Sequence, residues 1–381
     1  MYRIFYAEKD TTLYERFPEQ NAGIDQILEL TKNVSGSLIN GKIRGETFNS
    51  RILIDFGSEI NTLRSAVVSG KIPPIGNSEN SASVFLTLRS SDATDLLQEY
   101  TLDAFPVSQS WINGQGYAHD LPKSTKGASW YYRNSKDQET YWNTGSIGNT
   151  YNWFPGVQNK IGGGVWIAGS TYNSSQSFNN QIPDIRMDVT DIVNHWVSGD
   201  IPNYGFIVKR TNLDEKSGDS MGSIKFFGRE SHTIFVPKLE VAWDDYTASG
   251  NASVISDELI IPYFKNIKSE YRASEIARFR IGVRGEFPTR TYSTASFYLG
   301  NDVLPVSSSY AIFDYETNEP IIPFTDNWGT SYTKISSDVN GNYFDLRMDA
   351  FLPERYYKMI LKCERSNDIR MFDEFYFKVV S

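Results

Sequence analysis

Glu275-Ile-Ala-Arg-Phe-Arg-Ile-Gly-Val-Arg284 alternates along its whole length, with Ala277, Phe279, Ile281 and Val283 on one side and Arg278, Arg280 and Arg284 on the other. A period of two marks a strand with one face in a core and the other in solvent. The same reading extends outward to Tyr310–Tyr315, Tyr343–Met348, Tyr356–Lys362 and Phe375–Val380. Short strands in succession, with no long helical period between them, predict a sandwich of antiparallel sheets.

Upstream, Tyr2–Tyr6, Arg51-Ile-Leu-Ile-Asp-Phe56, Ser83-Val-Phe-Leu-Thr-Leu-Arg89, Gly205–Lys209, Ser223–Phe227 and Pro237–Trp243 read as further strands broken by Gly, Asn and Pro. Two helical interruptions are expected. Asp188–Val197 places Val189, Ile192, Val193 and Trp196 at helical spacing, with Asp188 as N-cap and Gly199 as stop, and Ser58–Val67 is a second short helix. After Trp243 the run Asp244–Ser253 is small, polar and without period, which is linker composition. The chain therefore divides into 1–245, a linker over 246–257, and a second sandwich over 258–381, for which the strand pattern predicts the immunoglobulin-like type.

The 381 residues carry a net charge of −9. That balance argues against nucleic acid or an anionic membrane as partner, both of which need a basic footprint. A local basic patch is still open, with Arg278, Arg280 and Arg284 as one candidate, and these three are candidate interface residues. Cys363 is the sole cysteine, so an internal disulfide and a thiolate metal site are both excluded. No run approaches the roughly 18 apolar residues of a membrane span. Met1–Glu8 enters strand alternation at once, without the basic and apolar regions of a signal peptide. The protein is therefore expected to mature in the cytosol, or to leave it by a route other than ordinary secretion.

Several fragments of the first region resemble, in order, the DNRLRE family of β-sandwich modules: Tyr14, Asn21-Ala-Gly23, Glu29-Leu30, Arg51-Ile-Leu-Ile-Asp-Phe56, Ser110-Trp111, Gly127-Ala-Ser-Trp130, Trp142, Asp188-Val-Thr190, His195-Trp196, Asn203-Tyr-Gly-Phe206 and Pro237-Lys-Leu-Glu-Val241. The resemblance implies a jelly-roll-like sandwich of the kind used in adhesive, polysaccharide-binding and virion-associated proteins, with no catalytic site. The chain departs from the family in lacking a signal peptide and in a long insertion between Trp142 and Ile182. The second region looks like C-terminal sandwich segments of structural proteins in T4-like tailed phages, on Pro323-Phe-Thr-Asp326, Lys334–Asp338, Gly341–Phe344 and Tyr376-Phe-Lys-Val379. The fold expected is thus all-β, a jelly-roll-like sandwich followed by an immunoglobulin-like one. The function expected is that of a virion component at the neck, baseplate, fibre attachment or capsid surface. It would contact other virion proteins as a homo-oligomer in a symmetric particle. The alternative is an adhesin module binding a cell-surface glycan.

The aromatic stretch over about 110–182 holds the main binding candidates. Tyr131, Tyr132, Tyr151, Trp153 and Phe154 could stack on sugar rings or anchor a protein contact, and core packing is the third possibility. Trp130 and Trp142 are expected in the core. Gly218-Asp-Ser-Met-Gly222 matches a nucleophile-elbow pattern, but it follows the polar run Asn212–Ser217 and precedes a strand, so it reads as a hairpin loop. His119, His195 and His232 lack metal-ligand spacing. Asp184, Asp188 and Asp191 could offer oxygens to calcium, yet without the EF-hand pattern. Gly162-Gly-Gly164 reads as a tight turn rather than a phosphate loop. No cofactor and no metal are expected, and no catalytic residue is assigned.

Overall fold

The computed structural model describes residues 1–39, 42–118, 121–137, 140–142, 162–179, 182–248, 254–255, 259–287, 302–324, 332–365 and 368–381. The protein is all-β, built from antiparallel sheets with a few short helices. It divides into two compact units, a first of Phe5–Asn77 and Ala82–Glu240 and a second of Met1–Ile4, Ser78–Ser81 and Val241–Ser381. Among the described residues no helix is long and apolar enough to cross a membrane.

Up to residue 242 the strands are β1 (Tyr2–Tyr6), β2 (Lys9–Tyr14), β3 (Ile27–Ile39), β4 (Lys42–Asp55), β5 (Ser83–Leu88) and β6 (Ser90–Thr94). They continue as β7 (Glu99–Pro106), β8 (Ser174–Asn179), β9 (Ile185–Asp188), β10 (Phe206–Arg210), β11 (Gly222–Phe227) and β12 (Lys238–Ala242). One sheet runs β1–β12–β5–β9; the other runs β6–β11–β3–β4–β10–β7–β8, with β2 also on β4. Helix α1 (Gly57–Val68) buries Ile60, Leu63 and Ala66, and α2 (Thr190–Ser198) buries Ile192, Val193 and Trp196, each a stripe at three- or four-residue spacing. Gly199 ends α2 in the left-handed conformation (φ 89°), as its position predicts. Asp188 sits one residue outside its expected capping place: from the end of β9 its Oδ1 accepts from the Thr190 N–H and hydroxyl.

The hairpin β3–β4 outgrows its sheet. Residues 27–32 pair with β11 and 50–55 with β2, whereas 33–39 pair with 42–48 alone among the described ladders. A two-stranded ribbon is only marginally stable in water and leaves both edges open.

Asp10 on β2 is a buried carboxyl whose Oδ2 accepts from the Arg229 N–H at 2.6 Å. Burial pushes it up to about 7, against the helping backbone bond. Its folded form keeps a proton that the unfolded chain releases near pH 4, so its stabilising contribution is full below about pH 4 and is lost as pH rises through 7. Asp10→Asn keeps the acceptor without the charge. It is expected to raise stability by about 2–4 kcal/mol at pH 8 and to change little at pH 4. Urea titrations at both values check this, and an equal effect at the two would refute it.

The second unit contains β13 (Ile260–Phe264), β14 (Glu270–Arg272), β15 (Ile276–Gly285), β16 (Ser309–Asp314) and β17 (Pro320–Ile322). It closes with β18 (Ser336–Asp338), β19 (Gly341–Arg347), β20 (Arg355–Arg365) and β21 (Asp368–Val380). The sheets run β13–β15–β19–β18 and β14–β21–β20–β16–β17, with β14 parallel to β21 and the other described ladders of the unit antiparallel. Strands β13, β15, β19 and β18 in one sheet, with β21, β20 and β16 in the other, make an antiparallel β-sandwich. Phe264, Phe279 and Phe344 of the first sheet meet Phe375, Phe377 and Tyr310 of the second at ring separations of 4.0–5.7 Å, which is the core. The stretch expected as linker is tied down where it is described. Thr247 bonds Ser336, Ser337 and Tyr343, and Ile255 bonds Val303, because its main-chain groups complete strand edges in this unit.

Candidate interaction surfaces

In the first unit four tryptophans of the aromatic stretch face inward. Trp111, Trp130, Trp142 and Trp166 all lie in one buried cluster with Leu13, Leu53 and Ile207, so long loops are held by rings rather than by secondary structure. Trp111 and Trp142 donate their indole N–H groups to the carbonyls of Tyr204 and Ser129, both at 2.9 Å. Gly162 lies against the Trp130 ring, where an added Cβ would come within 2.4 Å, which is why this turn needs glycine.

The cluster surrounds an ion group that the sequence did not disclose. Arg51 on β4 is fully buried between the Trp130 and Trp166 rings, 4.9 and 5.0 Å from their centroids. Its Nε and Nη2 donate to the two oxygens of Glu215 at 2.9 and 2.7 Å, and its Nη1 donates to the Gly163 carbonyl at 2.6 Å. Lys209 on β10, also fully buried, reaches Glu215 Oε2 at 3.1 Å and donates to Asn212 Oδ1. Lys32 donates to the Glu215 carbonyl at 2.6 Å. Burial alone would raise the Glu215 carboxyl, but Arg51 and Lys209 hold it below the usual range; burial lowers the Lys209 ammonium to about 8 despite Glu215. Glu215 belongs to α3 (Asn212–Lys216), a turn of helix capped by the Thr211 hydroxyl. This corrects the loop expected at Asn212–Ser217: the run is polar because it carries the core's counter-charge. Next to it Ser220 donates to the Lys32 carbonyl and β11 follows, so the Gly218–Gly222 pattern has no nucleophile-elbow context.

Of the contact candidates, Tyr151, Trp153 and Phe154 lie outside the described residues, as does His119. Tyr131 is half-buried against the tryptophan cluster. Tyr132 is buried, tilted against Tyr141 at 4.6 Å and edge-on to Tyr131, so it presents no open ring face and its assignment as a contact residue is corrected on that ground. Asp184, Asp188 and Asp191 have separate partners, Arg89 with Ser90, Thr190, and Asn77. Among the described residues no three metal-ligating side chains converge.

The three arginines of β15 share the outer face of the second unit's four-stranded sheet, but they are not a bare basic patch. Arg278 forms a bidentate pair with Asp345 at 2.8 Å, and Arg280 meets Asp338 at 2.6 Å. Both guanidinium groups lie over Tyr343, at 4.3 and 5.0 Å. Arg284 donates to the Gly285 carbonyl. The face is polar and largely neutralised from within.

The outer face of the five-stranded sheet differs. Tyr315, Tyr356 and Tyr376 are 53, 54 and 44% exposed, and Met371 and Ile369 about as much. The register puts these residues on one face, alternating with charged ones: Tyr376 lies opposite Lys358, Tyr356 opposite Lys378, Met371 opposite Lys362 and Ile369 opposite Glu364. Tyr315 meets Tyr376 edge-to-face at 5.3 Å. The signal was present in the sequence. Tyr356-Tyr-Lys-Met-Ile-Leu and Phe375-Tyr-Phe place large apolar residues on both parities of a strand, the pattern of a sheet covered on both sides.

No protein-family model and no curated protein matches the chain. Two solved structures are similar at low level. One is a DUF4785 family protein of Legionella pneumophila, at 8% identity over 100% of this chain and 62% of that one, with a TM-score of 0.18. The other is a β-glucuronidase of Parabacteroides merdae, at 9% identity over 97% of this chain and 35% of that one, with a TM-score of 0.17. The chain thus spans less than two thirds of either protein's length.

Proposed function

We propose that this protein is a non-catalytic structural component of a tailed-phage particle, at its neck, baseplate, fibre attachment or capsid surface, acting through protein–protein contacts. The observation that carries the reading is the aromatic outer face of the five-stranded sheet, since water-facing sheet surfaces are normally polar and large apolar side chains gathered on one exposed face mark a contact. The β3–β4 ribbon, with its open edges, supports it, because a neighbouring subunit that pairs with such an edge would complete it. The sequence likeness to T4-like structural proteins supplies the kind of assembly, and with it localisation in the virion. Mass spectrometry of purified particles is expected to find the chain in fixed stoichiometry. Absence from particles would end the proposal.

The second reading, a glycan-binding module, is favoured by Tyr151, Trp153 and Phe154 in a single short run. A glycan array decides it: binding lost on Trp153→Ala would support the module, and no binding to any glycan would refute it.

A further inference from the structure

We infer that the outer face of the β14–β21–β20–β16–β17 sheet is a self-association surface, packing on the same face of a second copy about a two-fold axis. The inference deepens the assembly reading above and rests on it.

Extent comes first. At their exposures, three tyrosines, a methionine and an isoleucine present roughly 600 Å² of surface. Partly buried Phe313 and Ile360 and the stems of three lysines adjoin them. The whole approaches the ~800 Å² that each partner buries in a standard interface, and it exceeds scattered surface apolarity. Tyrosines dominate it, and tyrosine is enriched at interface centres.

Charge then selects the occupant. Every lysine of the face has its own carboxylate on the same chain: Lys358 with Asp373 at 2.7 Å, Lys378 with Glu354 at 2.6 Å and Lys362 with Glu364 at 3.3 Å. Those three pairs carry no net charge between them, on a chain of net charge −9. In a two-fold contact each group faces the image of its own surroundings, so an excess charge would meet itself. A patch neutralised internally meets no such repulsion, whereas a surface selected for a charged partner would keep an excess of one sign. The opposite sheet, with its arginine–carboxylate pairs and no comparable aromatic row, offers a control surface.

The test uses the full chain in sedimentation equilibrium over a range of concentrations. The native protein is expected to form a dimer, and Tyr356→Asp with Tyr376→Asp to weaken it by ~100-fold or more, as loss of two central anchors does. Charge reversal gives a second arm that leaves the core untouched. Lys358→Glu shifts the charge of the face by −2 and Asp373→Lys shifts it by +2, so each alone is expected to dissociate roughly tenfold more readily. An equal mixture of the two is expected to recover the dimer. Arg278→Glu on the other sheet is expected to leave association unchanged. A native monomer at all concentrations, or an oligomer indifferent to every change on this face, overturns the inference. Either result leaves the assembly reading standing if the chain is still found in purified particles, whereas absence from particles with an intact dimer sinks that reading and spares this one.

Discussion

Glu215→Gln is expected to lower the stability of the first unit by about 3–5 kcal/mol, because it removes one partner from a buried ion group and strands the others. Arg51 and Lys209 have no solvent exposure, and Glu215 is the one carboxylate in contact with both among the described residues. Glutamine matches the volume and can still accept one bond, so the loss reports charge and not a cavity. Lys209→Met in the same chain is expected to recover part of it, since one of the two stranded cations is then gone, and that double-mutant cycle measures the coupling directly. The pH dependence has a definite sign. The folded Glu215 carboxyl lies below its ordinary value, so its contribution is present above about pH 4.5 and lost as pH falls through the folded value. Lys209 lies at about 8 folded and near 10.4 unfolded, so the unfolded chain binds more protons between those values and stability rises with pH there. Denaturant titrations should therefore show the Glu215→Gln penalty shrinking in acid, where the native carboxyl is also protonated. A penalty independent of pH would show that packing, not charge, sets it.

The strands of this fold were legible because burial is written in a period of two. Ser83–Arg89, Gly205–Lys209, Ser223–Phe227 and Glu275–Arg284 each became a strand within a residue or two of the expected bounds. Helix α2 was legible for the parallel reason, a stripe at 3.6 ended by Gly199. Arg51 carried half of a further message. Ile52, Leu53, Ile54 and Phe56 are fully buried around it, so a cation in that run must have a counter-charge, but periodicity cannot say which of 46 acidic residues supplies it. The answer, Glu215, lies 164 positions away in a run whose polarity resembles solvent exposure. The candidate surface was missed for a related reason. Alternation in Glu275–Arg284 points to the face with arginines, which pairs them off internally, while the absence of alternation in Tyr356–Leu361 marks the apolar outer face.

Phe344→Ala is expected to cost the second unit about 3–5 kcal/mol, the range for truncating a buried phenylalanine. Its ring stacks on Tyr310 at 4.0 Å across the sandwich and on Phe279 at 5.4 Å within its own sheet, and meets Phe264 edge-on, so one side chain joins both layers. Removal forfeits the ring's burial, its dispersion contacts and the geometry of three aromatic pairs. Phe344→Leu keeps most of the volume and is expected to cost under about 1.5 kcal/mol. Hydrogen exchange places the effect: protection should fall in β15, β16 and β19 and hold in β4 and β10 of the first unit. The outward tyrosines supply the converse. Tyr356→Asp alters a half-exposed ring with nothing packed beneath it in the core, so the monomer's stability should move by no more than ~0.5 kcal/mol while self-association fails. A protein that unfolds on Phe344→Ala, and only dissociates on Tyr356→Asp, uses opposite faces of one sheet sandwich for two jobs, inner aromatics for folding and outer aromatics for contact. If instead Tyr356→Asp unfolded the second unit, the outer ring would belong to the fold, and the self-association surface would lose its central residue.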